Sequence, residues 1–174
     1  MLPTFETDRL LLRPTDDSDA DFILTLVNTP KWLANIGDRK VRTLEDAYVY
    51  IQTRITPQFE RLGYGNYTVI RQADGAKLGS AGLYDRPGVD GIDLGFALLP
   101  EYEGRGYALE SACRVRDAAF GTFGLETIYA VTIPANAASQ KLLEKLGMSC
   151  QQMILLPGAQ EEIMLYAMQR PGNS

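Results

Sequence analysis

The short segment EGRGYA, residues 103–108, constrains the fold more than any other part of the sequence. It follows the apolar run GFALL, which predicts a strand, and it leads into a stretch whose small and apolar residues have helical spacing. Gly104, Gly106 and Ala108 are small, so successive backbone amides can approach an anion, and the helix that begins near Tyr107 adds its positive end. The segment therefore indicates a strand, a glycine turn and a helix in sequence.

Two familiar nucleotide-binding signatures do not fit this turn. A Walker A loop requires a lysine and a hydroxyl residue directly after its second glycine, and no such pair follows Gly106. A Rossmann fingerprint requires glycine or alanine where this chain has Leu109. Two interpretations stay open on these residues alone. The turn is a pyrophosphate cradle of another type, in which Arg105 adds a charge-assisted contact, or it is an ordinary tight turn.

The rest of the chain predicts an α/β (α+β) fold in one domain, residues 1–174. A first strand is followed by two helices joined by an irregular segment that contains Trp32, and then by a three-stranded antiparallel meander with a turn at Asp74-Gly75. A helix, a strand, a second helix and two final strands follow the glycine turn. The corresponding segments are RLLLRP, TDDSDADFILTLVN, TLEDAYVYIQTRITPQF, NYTVIRQ, KLGSAGLY, GIDLGFALL, YALESACRVRDAAFGTFG, TIYAVTI, PANAASQKLLEKLG, MSCQQMILL and EEIMLYAM.

Composition excludes several classes of function. The chain has 174 residues, 45% of them hydrophobic, which suffices for one domain with a substantial core. Because histidine is absent, Ser-His-Asp and Cys-His catalysis and the common zinc sites are excluded. A net charge of −5 disfavours nucleic-acid binding, and the acids at positions 16, 17, 19 and 21 are better explained by a helix N-terminus than by a metal site.

Cysteine usage and hydropathy place the expected protein in the cytoplasm. Cys113 and Cys150 have no ligand-spaced partner, so we expect two reduced, partly buried thiols. No apolar run approaches the length of a membrane span, and the N-terminus lacks the pattern of a secretory signal. We therefore expect no membrane, nucleic-acid or metal partner.

A second strand–loop–helix unit follows the glycine turn and its helix. The segment IPANAASQKLLEKLGM places Asn136 and Ser139 at the start of a helix. If the two units pack as a parallel pair, this helix start lies beside the glycine turn. Asn136 can equally be a simple N-cap and Ser139 a first-turn polar residue.

Both units together resemble the acetyl-CoA-binding half of the GNAT N-acetyltransferases. The resemblance is carried by GFALLPEYEGRGYALESA and NAASQKLLEKLGM, and Thr7–Pro14 is similar to the opening segment of the RimJ/RimL-like branch. It implies the GNAT fold: a mixed, mostly antiparallel sheet of about seven strands, flanked by four helices, with a splayed central parallel pair. It also implies acetyl transfer from acetyl-CoA to a primary amine by direct attack, without a metal.

The same resemblance implies a cofactor site. The family motif that holds the CoA pyrophosphate through main-chain amides falls on Glu103, Gly104, Arg105, Gly106, Tyr107 and Ala108. The backbone of Ala97, Leu98 and Leu99 is expected to pair with the pantetheine arm, and Asn136 to hydrogen-bond it. Glu103 stands where the family prefers glutamine or arginine, so its carboxylate repels the pyrophosphate unless it faces solvent or pairs with Arg105.

The resemblance also suggests catalytic residues. Leu143 replaces a tyrosine that protonates the leaving thiolate in many members, so Ser139 becomes the candidate proton donor or thiol-orienting group. Asp93 is the candidate base for the amine, and its alternative is a charged residue on the solvent face of a strand. Glu161 and Glu162 are weaker candidates for the base.

The acceptor is left open by these patterns. A free α-amine has a pKa near 7.7–8.0 and a lysine near 10.4, which favours a protein N-terminal α-amine at a site without histidine. A small-molecule amine and a non-catalytic CoA-binding regulatory module are the alternatives, and the protein is expected to be a monomer or a homodimer. We expect the acceptor pocket between the first two helices, the segment near Trp32, and the strands near Tyr67 and Tyr84.

Overall fold

One mixed sheet with helices packed against it forms the protein, in a computed structural model that describes residues 1–172. The strands of this part of the chain are β1 (Phe5–Glu6), β2 (Leu10–Pro14), β3 (Asn66–Arg71), β4 (Lys77–Tyr84), β5 (Asp93–Leu98), β6 (Thr127–Thr132), β7 (Ser149–Ile154) and β8 (Ile163–Gln169). The α-helices are α1 (Ala20–Leu26), α2 (Pro30–Asn35), α3 (Leu44–Tyr50), α4 (Thr56–Leu62), α5 (Tyr107–Gly121) and α6 (Ala137–Leu146). The last two positions of the predicted domain lie outside the described residues.

The strand order β1-β2-β3-β4-β5-β6-β8-β7 contains one parallel pair. Strands β5 and β6 are joined only where Asp93 stands opposite Tyr129, and the N–H of Tyr129 donates to the carbonyl of Ile92 at 2.9 Å. Beyond this point the two strands separate and leave a gap in the sheet. The predicted mixed sheet with a splayed parallel pair is confirmed. It has one strand more than the expected seven, because the two-residue β1 is too short to show a pattern.

The helical region before the sheet differs from the prediction in two places. The segment predicted to be irregular contains α2, whose start is fixed by Thr29: its hydroxyl accepts the N–H of Trp32 at 3.3 Å, and a proline follows it. The predicted second helix is divided into α3, a π-helical turn at Ile51–Ile55, and α4. Pro57 explains the π-helical turn, since it has no N–H to donate to the carbonyl four residues earlier.

Helix α5 packs across β2, β4 and β5 and against α6. Its buried face includes Ala112, Val115 and Ala119, which the helical spacing of the sequence predicts. Helix α1 packs against α3. The core is thus a sheet covered by helices, and the gap between β5 and β6 lies at its centre.

The acidic segment before α1 is used for capping and for a buried ion pair. The Asp16 carboxylate accepts the N–H of Ser18 at 2.9 Å. Asp19 is fully buried and lies 2.7 Å from both Arg13 Nη2 and Lys77 Nζ. Burial alone would raise the pKa of Asp19, but the hydrogen bonds from these two cations hold it below its usual range.

The cysteines agree with the prediction in part. Cys113 is half-buried on α5, whereas Cys150 is exposed on β7, a strand whose residues are exposed on both faces of the sheet. Within residues 1–172 no helix combines the length and the apolar character needed to cross a bilayer. No cluster of three or more acidic or cysteine side chains in the same residues is arranged to hold a metal ion.

Candidate active site

The glycine turn between β5 and α5 presents backbone amides that nothing covers. Gly104 and Gly106 have left-handed backbone, with φ of 77° and 83°, which other residues rarely adopt. A Cβ atom on Gly104 would meet no heavy atom within 4 Å, so the space in front of the turn is open. The N–H groups of residues 104–109 have no acceptor in the described chain, and the first helical bond runs from Glu110 to Gly106 at 3.0 Å. This geometry fits a pyrophosphate.

Arg9, on the segment before β2, fixes the turn in place. Its guanidinium donates to the carbonyl of Arg105 at 3.1 Å and to the carboxylate of Glu110 at 2.8 Å, and it lies 4.3 Å over the Tyr107 ring. Burial would raise the pKa of Glu110, but hydrogen bonds from Thr7 and Arg9 lower it below the ordinary value. Arg9 is not among the site residues predicted from the sequence. The only signal was its place within Thr7–Pro14.

The carboxylate of Glu103 pairs with Lys31, a residue that no sequence pattern indicated. Its Oε2 atom lies 2.5 Å from Nζ of Lys31, on α2. Glu103 therefore does not pair with Arg105; its side chain is partly exposed and its charge is paired with Lys31. The acid next to the turn is neutralised by a lysine, which reduces the repulsion that a pyrophosphate would meet.

The strand β5 offers only part of the predicted pantetheine contact. The N–H of Leu99 donates to the carbonyl of Leu78 at 2.8 Å. Because the polar groups of successive residues in an antiparallel ladder point to alternate sides, Leu99 and Ala97 direct theirs to β4. Leu98 directs its N–H and carbonyl into the gap. Of the three predicted backbone contacts, only Leu98 is placed to pair with a ligand in the gap.

Asn136 and Ser139 lie at the start of α6, as predicted. The Oδ1 atom of Asn136 accepts the N–H of Ser139 at 3.2 Å, which makes Asn136 the N-cap. Its Nδ2 group and the half-buried Ser139 hydroxyl have no partner in residues 1–172. Since β5 and β6 run parallel, the turns that follow them lie at the same end of the sheet, where the gap is open. Leu143 is buried in the core and cannot contribute chemistry.

Asp93 lies at the closed end of the gap and is only 1% exposed. The solvent-facing alternative for this residue is therefore wrong. Its Oδ2 atom accepts from Arg86 Nε at 2.5 Å, while Oδ1 is buried without a partner in the described chain. Burial raises the pKa of Asp93, and the charge of Arg86 opposes this rise.

Asp93 is separated from the turn by the length of β5. Asp93 and Leu98 are five residue steps apart along the strand, roughly 17 Å. Asp93 and Ser139 make no contact among the described residues. Glu161 and Glu162 are exposed in the connection between β7 and β8.

Two adjoining clefts lie beside the closed end of the gap. The first has a volume of about 60 Å³ and is lined by Tyr50, Arg54, Ile55, Gln58, Gly65, Asn66 and Tyr84. The second has a volume of about 480 Å³ and is lined by Asp38, Arg39, Lys40, Val41, Asp46, Val49, Tyr50, Thr53 and Arg54. Tyr84 stands opposite Asp93 in the sheet, so the smaller cleft adjoins the candidate base.

Of the three residues named for the acceptor pocket, Tyr84 lines the smaller cleft, whereas Trp32 and Tyr67 line neither of the two clefts. Tyr67 is in the core, in edge-to-face contact with Phe5 and Phe59. Its strand is covered on that face by α4 and the N-terminal segment. The alternation of residues in a short strand does not indicate which face of the sheet will be covered by a helix.

Comparisons with known proteins agree with this geometry. Residues 9–149 match the acetyltransferase (GNAT) domain family. The uncharacterized N-acetyltransferase YoaA of Bacillus subtilis (strain 168) is 30% identical over 148 residues, which cover 84% of this chain and 83% of that protein.

Solved structures show the same fold. The acetyltransferase from Agrobacterium tumefaciens str. C58 has a TM-score of 0.82 at 27% identity, covering 97% of this chain and 95% of that one. RimL, a ribosomal L7/L12 alpha-N-protein acetyltransferase in complex with coenzyme A, has a TM-score of 0.81 at 18% identity, covering 96% and 98% of the two chains. The family match includes the glycine turn, the splayed strands and α6, and the chain belongs to the GNAT acetyltransferase family.

Proposed function

We propose that this protein transfers the acetyl group of acetyl-CoA to a primary amine, with a protein N-terminal α-amine as the favoured acceptor, as in the RimJ/RimL-like branch. One observation carries the proposal. The unpaired N–H groups of residues 104–109 stand at the N-terminus of the 15-residue helix α5, beside the open end of the gap in the sheet. Backbone donors and a helix dipole in this arrangement suit the pyrophosphate of CoA.

The gap provides a path for the rest of the cofactor. The polar groups of Leu98 would pair with the pantetheine arm, and the free Nδ2 group of Asn136 would donate to one of its carbonyls. From there the arm would enter the gap and run only part of the way along β5 towards Asp93, so that its sulfur stays within reach of Ser139. The acetyl group would then lie in the gap between Ser139 and Asp93.

The reaction is a direct acyl transfer. The neutral amine nitrogen attacks the thioester carbonyl, so that a C–N bond forms and the C–S bond breaks. The nitrogen loses one proton and the departing thiolate gains one. Holding the two reactants together supplies much of the acceleration in reactions of this type.

Asp93 and Ser139 are the proposed proton-handling residues. Burial raises the pKa of Asp93, which makes its carboxylate a stronger base than an ordinary aspartate. Because the residue is almost fully buried, it would act on the amine through water. The unpaired hydroxyl of Ser139 would hydrogen-bond the thiolate.

An α-amine is the favoured acceptor because its pKa is lower than that of a lysine side chain. Its pKa of about 7.7–8.0 leaves a substantial neutral fraction near pH 7, whereas a lysine near 10.4 is almost wholly protonated. The fold shared with the ribosomal L7/L12 acetyltransferase supports this acceptor class.

A screen of short peptides and small amines with acetyl-CoA tests the proposal. We expect CoA thiol release together with an acceptor heavier by one acetyl group, detected by mass spectrometry. Ser139→Ala and Asp93→Asn should lower kcat about a hundredfold or more, the range for a positioned acid or base, with CoA affinity unchanged in calorimetry. CoA binding without turnover on any amine would instead indicate a regulatory module, and absence of CoA binding would refute the cofactor assignment.

A further inference from the structure

The larger cleft carries a cluster of cations, although the chain as a whole has a net charge of −5. Arg39, Lys40 and Arg54 all line it. None of the three side chains forms an ion pair or a hydrogen bond with any residue of the described chain. Their charges are therefore available to a ligand.

The carboxylates of the same cleft are already occupied. Asp38 lies 2.6 Å from Arg42 Nη2 and also accepts the N–H of Lys40 at 2.7 Å. Asp46 completes the capping box of α3, where it accepts the N–H groups of Arg42 and Thr43 at 2.9 and 3.1 Å. The acids in the cleft therefore serve the local structure, and the three free cations set the sign of the potential.

The two clefts are joined by residues of one segment. Tyr50 and Arg54 line both of them, at and next to the π-helical turn. The far wall of the smaller cleft includes Tyr84, whose hydroxyl donates to Asn66 Oδ1 at 2.5 Å. The oxygen of Tyr84 thus keeps a lone pair that can accept a hydrogen bond from an amine. The smaller cleft suits an amine and the adjoining larger cleft suits an anion.

We propose that the acceptor is a primary amine that also bears a carboxylate or a phosphate, with its amine beside Tyr84 and its anionic group between Arg54, Lys40 and Arg39. This inference rests on the proposed acetyltransferase function and specifies the acceptor. An acidic peptide N-terminus and a small acidic amine present the same chemistry. A polyamine does not fit, because its second ammonium group would face three unpaired cations. The net charge of the chain is negative, whereas the unpaired charges of this cleft are positive.

Matched acceptors test the proposal, and each pair keeps the α-carboxyl group as an amide so that the α-amines remain similar. The pairs are isoglutamine with glutaminamide, O-phosphoserinamide with serinamide, and the peptide amides Ser-Asp-Ala-Gly with Ser-Asn-Ala-Gly. Spermidine is the cationic comparison. We expect kcat/KM to be about tenfold or more higher for the anionic member, equivalent to one good charge-assisted contact. The pair with the largest ratio of kcat/KM between its anionic and neutral members shows whether the acceptor is a small acid, a phosphate or an acidic peptide.

Reversal of one charge in the cleft tests whether the cleft causes the preference for anionic acceptors. Arg54→Glu should abolish the preference, whereas Arg170→Glu, an equal charge change at the end of β8, should leave it intact. Circular dichroism should show both variants folded, because neither side chain supports the core. The preference should also shrink between 0.05 and 0.5 M salt, since ions screen exposed charges.

Binding without turnover keeps the test independent of catalysis. Calorimetry of O-phosphoserinamide and isoglutamine against the CoA-saturated protein should show binding that Arg54→Glu weakens. A preference for the neutral member or for spermidine, or a preference that survives in Arg54→Glu, would overturn the proposal. So would the absence of anion-dependent binding. If no amine is acetylated while this binding is present, the proposed reaction fails and the anion site stands.

Discussion

The Nζ atom of Lys31 lies 2.5 Å from Oε2 of Glu103, and the two residues are 72 positions apart in sequence. The pair connects α2 to the glycine turn. It places a cation against the acid that directly precedes the turn and would otherwise oppose a pyrophosphate. The affinity for CoA should therefore depend on a residue outside the motif itself.

Separate removal of the two charges should shift CoA affinity in opposite directions. Lys31→Met leaves Glu103 unpaired, and we expect the Kd for CoA to rise several-fold. Glu103→Gln removes the repulsion and frees the lysine, so the Kd should fall. Calorimetry at low salt measures both. Shifts in the same direction would contradict this account.

The stability of the protein should be nearly insensitive to either change. Exposed ion pairs contribute about 0–1 kcal/mol, and the Lys31 side chain is 65% exposed. Urea unfolding of the single variants provides this control.

The double variant lacks both charges. Its affinity for CoA should therefore return towards that of the wild type.

Gly106→Val should reduce CoA binding by at least about tenfold, because a side chain at this left-handed position strains the turn and obstructs the amides. Gly124→Val is a matched control. Its φ of 66° imposes similar strain, and no heavy atom lies within 4 Å of the Cβ that would be added. Both variants should lose roughly 1–3 kcal/mol of stability. Equal CoA affinity in the two variants would argue against the cradle.

Asn136 combines two roles that different substitutions can separate. Asn136→Ala removes the N-cap of α6 and should cost about 1 kcal/mol of unfolding free energy. Asn136→Asp keeps a capping oxygen but replaces the Nδ2 donor with an acceptor. We therefore expect Asn136→Asp to preserve stability and still weaken CoA binding, as measured by urea unfolding and calorimetry. Unchanged affinity in Asn136→Asp would show that the residue is only a cap.

Asp93 should give the protein a distinctive pH dependence. Its folded pKa is raised above the value of about 3.9 in an unfolded chain, so the folded state binds the proton more tightly. Its contribution to stability is therefore complete below about pH 4 and is lost as the pH rises through the folded pKa.

Asp93→Asn removes this titration. The unfolding free energy of the wild type should fall, relative to that of the variant, as the pH is raised from about 4 to 8. Urea unfolding of both proteins across this range gives the comparison. A difference that stays constant with pH would show that Asp93 has an ordinary pKa in the folded protein.

Local patterns predicted much of the fold because they depend on neighbours in sequence. The helical face of α5 and the Asp74-Gly75 turn were both found where the sequence placed them. Helix α2 was missed although Thr29 and a following proline are recognised start signals. The π-helical turn depends on Pro57, and the spacing of apolar residues along a helix does not reveal the effect of a single proline.

The sequence by itself determined the local backbone at which the cofactor is proposed to bind. Left-handed backbone at Gly104 and Gly106 and the capping side chain of Asn136 are properties of a few adjacent residues, and they define where CoA is proposed to bind. Tertiary structure alone decided the charges around that site. The pairing of Glu103 with Lys31, the burial of Asp93 and the three free cations of the cleft arise because electrostatic interaction and desolvation depend on distance through space, which a linear spacing does not encode.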